Sequence, residues 1–149
     1  DAELAVRVLS RALGPPTADT GWVYQLEVYG TCIGTEVRFV QWGSLQIFLT
    51  DGPSDWAPAR VRHIASWAES IELGTSLIAA ETKEGIGLGS QVDEIIGAYG
   101  TDAEITDDPL FGPSFSLDTS GAGFLLGSLT GLSSSDTLVS LSAGFSCGE

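Results

Sequence analysis

The sequence predicts an α+β fold of two tandem half-modules, each a short helix followed by antiparallel strands, together forming one domain over residues 1–149. Three observations carry this expectation. Amphipathic helices run into Leu13-Gly14 and again into Tyr99-Gly100, 86 residues later. Each helix leads into a turn-rich, acidic stretch. Each stretch leads into segments of strand character, so the first half-module covers about 1–80 and the second about 81–149. At that offset Val6 matches Val92, Leu9 matches Ile95 and Leu13 matches Tyr99.

The first helix spans Ala2 to Leu13. Leu4, Val6, Val8, Leu9 and Leu13 recur at helical spacing and make a broad apolar face. Asp1 and Glu3 sit at the positive end of the helix dipole. Gly14 ends the helix and Pro15-Pro16 forbid its continuation. Asp19-Thr20-Gly21 reads as a turn. From Trp22 the pattern becomes β: Trp22, Tyr24, Leu26 and Val28 alternate with more polar neighbours. Glu36 to Trp42 and Leu45 to Thr50 are two further strands, and Gly43-Ser44 between them fits a hairpin with glycine at the first position of a type II′ turn. Asp51-Gly52-Pro53 closes the unit.

Residues 60–69 read two ways. Val61, Ile64, Ala65 and Ala68 fit a helix with Pro58 as its first residue. The same residues fit a long edge strand with Trp67 on one face, and this reading is preferred because the hairpin otherwise lacks a further partner. Residues 71–83 form a loop or a short strand through Leu77-Ile78-Ala79-Ala80.

In the second unit Gly85-Ile86-Gly87-Leu88-Gly89 approaches in extended form. Ser90 is the expected N-cap, with Asp93 completing an acidic capping box. Val92, Ile95, Ile96 and Tyr99 supply the apolar face, and Gly100 ends the helix. Residues 101–113 read as a long acidic loop. Ser114 to Leu117, Gly123 to Leu126 and Thr137 to Ser142 read as three strands joined by turns, with Ser133 to Asp136 a flexible one.

A chain of 149 residues that is 43% hydrophobic has material for a core, which argues against intrinsic disorder. Twenty acidic against six basic residues give a net charge of −14. A field of that sign repels phosphate backbones and anionic headgroups, which excludes nucleic acid and acidic membrane surfaces as natural partners. A basic protein, a cation or a neutral ligand is compatible with it, and so is a plain role in solubility. No stretch approaches the ~20 apolar residues of a transmembrane helix. Methionine is absent, even at position 1, so the chain is expected to follow processing or trimming, and a signal peptide or lipid anchor upstream is compatible with it. Cys32 and Cys147 fit one disulfide in an exported protein, or two buried free thiols in a cytosolic one.

Catalytic motifs are not evident. His63, the lone histidine, has no recognisable nucleophile or orienting group in sequence, and no serine stands in a Gly-x-Ser-x-Gly setting. Asp102, Glu104, Asp107 and Asp108 supply oxygen ligands for a weak cation site but lack the twelve-residue calcium-loop pattern. No metal or cofactor is therefore expected beyond that candidate. Gly85-x-Gly87-x-Gly89 lacks the remaining steps of a phosphate-binding turn. The tryptophans are the best candidates for a contact surface. Trp56, beside Asp55 and Ala57-Pro58, is expected in an exposed loop, and Trp67 on the strand face.

The run from Leu13-Gly14-Pro15-Pro16 to Gly21-Trp22, with Cys32 and Phe39-Val40-Gln41-Trp42-Gly43-Ser44-Leu45 after it, resembles exported actinobacterial proteins of uncharacterised function. So do Gly85 to Ser90, Tyr99-Gly100 and the closing Gly144-Phe145-Ser146-Cys147-Gly148-Glu149. More distantly, a helix ending in Leu-Gly-Pro before antiparallel strands, used twice, is similar to the secreted β-lactamase inhibitory protein and to small outer-membrane assembly lipoproteins. That resemblance implies tandem helix-plus-sheet modules and a binding role rather than an enzymatic one. It carries no inhibitor contact residues across. The inhibitory protein's disulfides lie within its modules, whereas a Cys32–Cys147 bridge would join the two halves here.

The resulting expectation is an exported or cell-envelope, non-catalytic binding protein that recognises another protein across one sheet face or the loops carrying Trp56 and the 102–108 acids. An inhibitor of the β-lactamase-inhibitory type and a hydrolase with an unrecognised carboxylate site are the alternatives.

Overall fold

The computed structural model describes residues 1–24, 34–74, 78, 80–119 and 123–144. Helix α1 covers Ala2–Leu13 and buries Ala2 and Val6. Asp1 caps it by accepting the Leu4 N–H at 2.9 Å. Strands β1 (Ala18–Asp19) and β2 (Val23–Tyr24) follow, where a turn was expected around Asp19. Both pair with β3 (Glu36–Trp42), so the sheet edge there is made of two short pieces. A two-residue connection, with Gly43 at φ 53°, joins β3 to β4 (Leu45–Thr50), as the Gly-Ser signal suggests. Strand β5 covers His63–Ser70, resolving the ambiguity of 60–69 in favour of the strand, though an interior one paired on both sides rather than the edge strand expected.

Helix α2 covers Val92–Tyr99. Its capping differs from the expectation: Gln91, not Ser90, is the N-cap, and its N–H donates to Glu94 Oε2 at 2.7 Å. Ser90 instead accepts the Gly87 N–H on its hydroxyl at 3.1 Å. A single 3-10 turn over Gly100–Asp102 leads into β6 (Ala103–Asp108), β7 (Gly112–Asp118), β8 (Phe124–Leu129) and β9 (Leu138–Gly144). The acidic stretch expected as a loop is therefore mostly strand.

The strands form one antiparallel sheet in the order β1-β3-β4-β5-β9-β8-β7-β6, with β2 beside β1 on β3. This overturns the expected pair of helix-plus-sheet half-modules. Strand β5 and strand β9 pair from Ser66↔Gly144 to Ser70↔Ser140, so backbone hydrogen bonding crosses the anticipated boundary without a break. Among the described residues the architecture is a single open, mostly antiparallel sheet with two short helices. The 86-residue recurrence reflects two helix ends, but each segment's strands complete a common layer.

Residues alternate between the two faces of a strand, and cross-strand register shows which share a face. One row runs Val40–Ile47–Trp67–Ala143–Leu125–Leu117–Ala103 across seven strands. This is the helix-covered face. Ala2 and Val6 of α1 pack with Val40, Trp42, Ile47 and Leu49. Val92 and Ile95 of α2 pack with Phe115, Leu125, Leu138 and Leu141. Trp67 touches both clusters and joins them into one apolar layer. Burial of such side chains contributes roughly 1.5–3 kcal/mol each relative to exposure.

Polar bonds fix α1 on the sheet. The Arg38 guanidinium donates to Asp19 from Nε (2.8 Å) and Nη2 (2.6 Å), and to Glu3 Oε1 from Nη1 (3.1 Å). Trp22 Nε1–H donates to Glu3 Oε1 at 2.9 Å, and the Arg62 guanidinium lies 4.3 Å from the Trp22 ring centre. Trp42 Nε1–H donates to the Gly14 carbonyl at 3.0 Å, holding the helix end.

The opposite face carries no described helix and is rich in hydroxyls. Its rows read Thr106–Ser114–Ser128–Ser140–Ser70 and Glu104–Ser116–Leu126–Ser142–Ala68–Gln46–Gln41. At one corner Phe39 and Phe48, with ring centres 4.7 Å apart, join Val37 and Ala65 in a small separate cluster.

Candidate functional site

The tryptophans singled out as a contact surface meet along one groove. Trp56 sits in a turn closed by the Ser54–Ala57 backbone pair, is half-exposed, and donates its indole N–H to the Ile64 carbonyl at 3.0 Å. It lines a groove of about 480 Å³ together with Trp67, Ser66 and Gly144. Trp67 is committed mainly to the core, while Trp56 is the accessible one. His63 meets the Trp56 ring edge-on at 6.5 Å. Its Nδ1–H donates to the Val61 carbonyl at 2.7 Å, and its Nε2 is buried with no hydrogen-bond partner among the described residues. Among the described residues no nucleophile is bonded to it, and its ring packs against Trp56.

A second cavity, of about 320 Å³, lies on the helix-covered face between α1 and the β5–β9 seam. Leu9, Ile47, Ile64, Trp67 and Leu141 make it apolar, and Glu81 and Thr82 stand at its side. Glu69 is wholly buried next to it in register, between Leu45 and Leu141. Its Oε1 accepts from Ser44 Oγ (2.9 Å) and the Ile78 N–H (3.3 Å), and its Oε2 has no partner among the described residues. Tyr99 anchors the neighbouring segment to α2 by donating to Thr82 Oγ1 at 2.6 Å. Burial holds the Tyr99 phenol above its ordinary pKa; the Thr82 bond opposes that and the Glu84 carboxylate adds to it.

The four acids offered as a weak cation site are spread out by strand geometry. Asp102 ends the 3-10 turn, and Glu104 and Asp107 lie on opposite faces of β6. Asp108 is engaged in the β6–β7 turn, where Oδ1 accepts the N–H groups of Leu110 (2.7 Å) and Phe111 (3.1 Å). Among the described residues no group of three or more His, Cys, Asp or Glu side chains is placed to hold a metal ion. Cys32 and Cys147, and the bridge expected between them, lie outside the described residues.

The stretch carrying the 102–108 acids was a candidate binding surface, but Leu110 and Phe111 were not singled out from the sequence; in the β6–β7 hairpin they are the two most exposed large apolar side chains among the described residues, at 87% and 83%. Phe111 and Leu126 flank a shallow groove of about 210 Å³ on the helix-free face, floored by Ser114, Ser128 and Ser140. The chain also segregates its charge. After Lys83 it contains no lysine, arginine or histidine, against ten acidic side chains. Both signals stand in the sequence: an apolar pair between Pro109 and Gly112-Pro113 inside an acidic run, and a basic count that stops at residue 83. No described helix is long and apolar enough to cross a membrane.

Compared with known proteins, the chain matches no family, no curated protein and no solved structure.

Proposed function

We propose that this is an exported or cell-envelope, non-catalytic binding protein that recognises another protein through the β6–β7 hairpin and the helix-free face beside it. One observation carries the reading: Leu110 and Phe111, adjacent in a turn whose backbone is tied to Asp108, stand in water. Folding recovers nothing from burying them, and clustered apolar exposure with a polar surround is how recognition surfaces are built. The turn is held by its own hydrogen bonds, so little conformational freedom is lost when a partner closes over it.

The test is site-directed photo-cross-linking. A photoreactive phenylalanine analogue at position 111 of the full chain, in its producing cells, is expected to give discrete protein adducts that Leu110→Ser removes. The same analogue at Val8, an exposed position on α1, is the control. Equal adduct patterns at the two positions refute the assignment.

A further inference from the structure

We infer that β6 is an acceptor edge for one extended, basic segment of a partner protein, whose alternating Lys/Arg and apolar side chains lengthen the sheet by one strand. This deepens the protein-recognition reading above and rests on it.

Strand β6 ends the sheet, and among the described residues no strand pairs with its outer side. Such an edge offers backbone N–H and C=O groups to an incoming strand. Its two faces ask for different side chains. Ala103 and Ile105 lie on the helix-covered face, half-buried against the α2 cluster. A side chain docked beside Ile105 would extend that apolar layer. Glu104 and Thr106 lie on the other face, in register with Ser116 and Ser114, and Asp108 continues their side. A side chain docked beside Glu104 or Asp108 meets a carboxylate. The complement of this edge is therefore a strand that alternates cationic and apolar residues, since residues opposite one another in a sheet are the pairs that interact.

Charge selects the occupant. Everything after Lys83 is without a cationic side chain, so the carboxylates on this edge have no nearby base in their own half of the sequence. A second copy of β6 would bring acid against acid, and like charges directly opposite are destabilising. Acidic edges blunt self-pairing in this way while leaving the backbone groups open. A cationic segment is drawn in by the same field that keeps copies apart. The exposed Leu110 and Phe111 at the end of the strand give it an apolar stop.

The test uses the full chain and three synthetic peptides of about eight residues, enough to span β6. One alternates Arg and Val, one has the same composition in two blocks, and one alternates Glu and Val. Titration calorimetry gives affinity, and amide hydrogen exchange locates the contact. The alternating Arg-Val peptide is expected to bind about tenfold or more tightly than the block isomer, to slow exchange within Ala103–Asp108, and to weaken as salt rises. The double variant Glu104→Lys/Thr106→Lys, at two exposed positions of the helix-free face, is expected to transfer the preference to the Glu-Val peptide, with circular dichroism confirming an unchanged fold. Equal binding of the block isomer reduces the effect to bare charge attraction and overturns the proposal. So does protection elsewhere, or no binding. If peptides fail while position 111 still forms adducts, the edge assignment falls and protein recognition stands. If β6 is protected while position 111 forms none, the hairpin's role is what fails.

Discussion

Gly127 stands where a methyl group has no room. A Cβ built there meets the Phe115 ring and a Leu138 methyl, and both residues are 1% exposed. The ring of Phe115 lies over the neighbouring strand because residue 127, its cross-strand partner, has no side chain. Dense cores do not absorb an added carbon without displacing something. Gly127→Ala is therefore expected to destabilise by about 1–3 kcal/mol, the cost of overpacking. In urea the midpoint should fall with the slope unchanged. An unaltered midpoint would show that Phe115 has space to retreat. The same residue explains a boundary error. The run Phe124-Leu125-Leu126-Gly127-Ser128-Leu129 looks as if its glycine ends a strand, because glycine ordinarily punctuates. The strand continues to Leu129, because glycine here serves a close approach that only the three-dimensional neighbour reveals.

The position of α1 depends on polar bonds as well as its apolar stripe, and these make it sensitive to acid. The Trp22 indole bond, with the Arg38 guanidinium beside it, holds the Glu3 carboxyl below its ordinary pKa. Hydrogen bonds from Arg38 do the same to Asp19. A carboxyl whose pKa is lower in the folded chain contributes stability that is full above the unfolded value, about 4, and is lost as pH falls through the folded one. Arg38→Gln is expected to lower the melting temperature at pH ~7 and to lower it much less at pH ~3, where both carboxyls are being neutralised. Both acids are partly exposed, so the effect is modest and shrinks in salt. Thermal melts of the two chains at both pH values check it. Equal losses at the two pH values would point to lost packing of the arginine stem instead. Elements of this kind were unevenly legible. Strands β3 and β4 announce themselves by β-branched and aromatic residues, and α1 by its spacing and its Gly-Pro-Pro stop. Strand β6 does not, because an edge strand half-buried only through Ala103 and Ile105 is free to carry Glu104, Thr106, Asp107 and Asp108. Those residues read as a solvated loop, and the candidate edge is hidden by the property that defines it.

At the scale of the molecule the sequence repeats its helices and the structure does not repeat its layers. Two helix ends 86 residues apart suggested two modules, since nothing in a linear pattern states which strand edges will meet. The answer lies in β5 and β9, whose short, small-residue faces let them pair along Ser66–Ser70 and Ser140–Gly144. Trp67, packed into both apolar clusters, then makes each half of the sheet part of the other's core. A joint of this kind predicts cooperative unfolding of the whole sheet. All four tryptophans lie before residue 68, so indole fluorescence reports the β3–β5 side, whereas amide exchange of β7 and β8 reports the far side. Denaturant transitions followed by the two probes should coincide within error, the mark of a two-state domain. Trp67→Ala is expected to lower both together by about 3–5 kcal/mol, the usual cost of deleting a large aromatic from a core, less whatever the half-exposed part of the ring never contributed. Separate midpoints in the unmodified protein would mean that the β5–β9 pairing does not couple the halves. A Trp67→Ala chain that loses only the fluorescence transition would place the indole in one core alone.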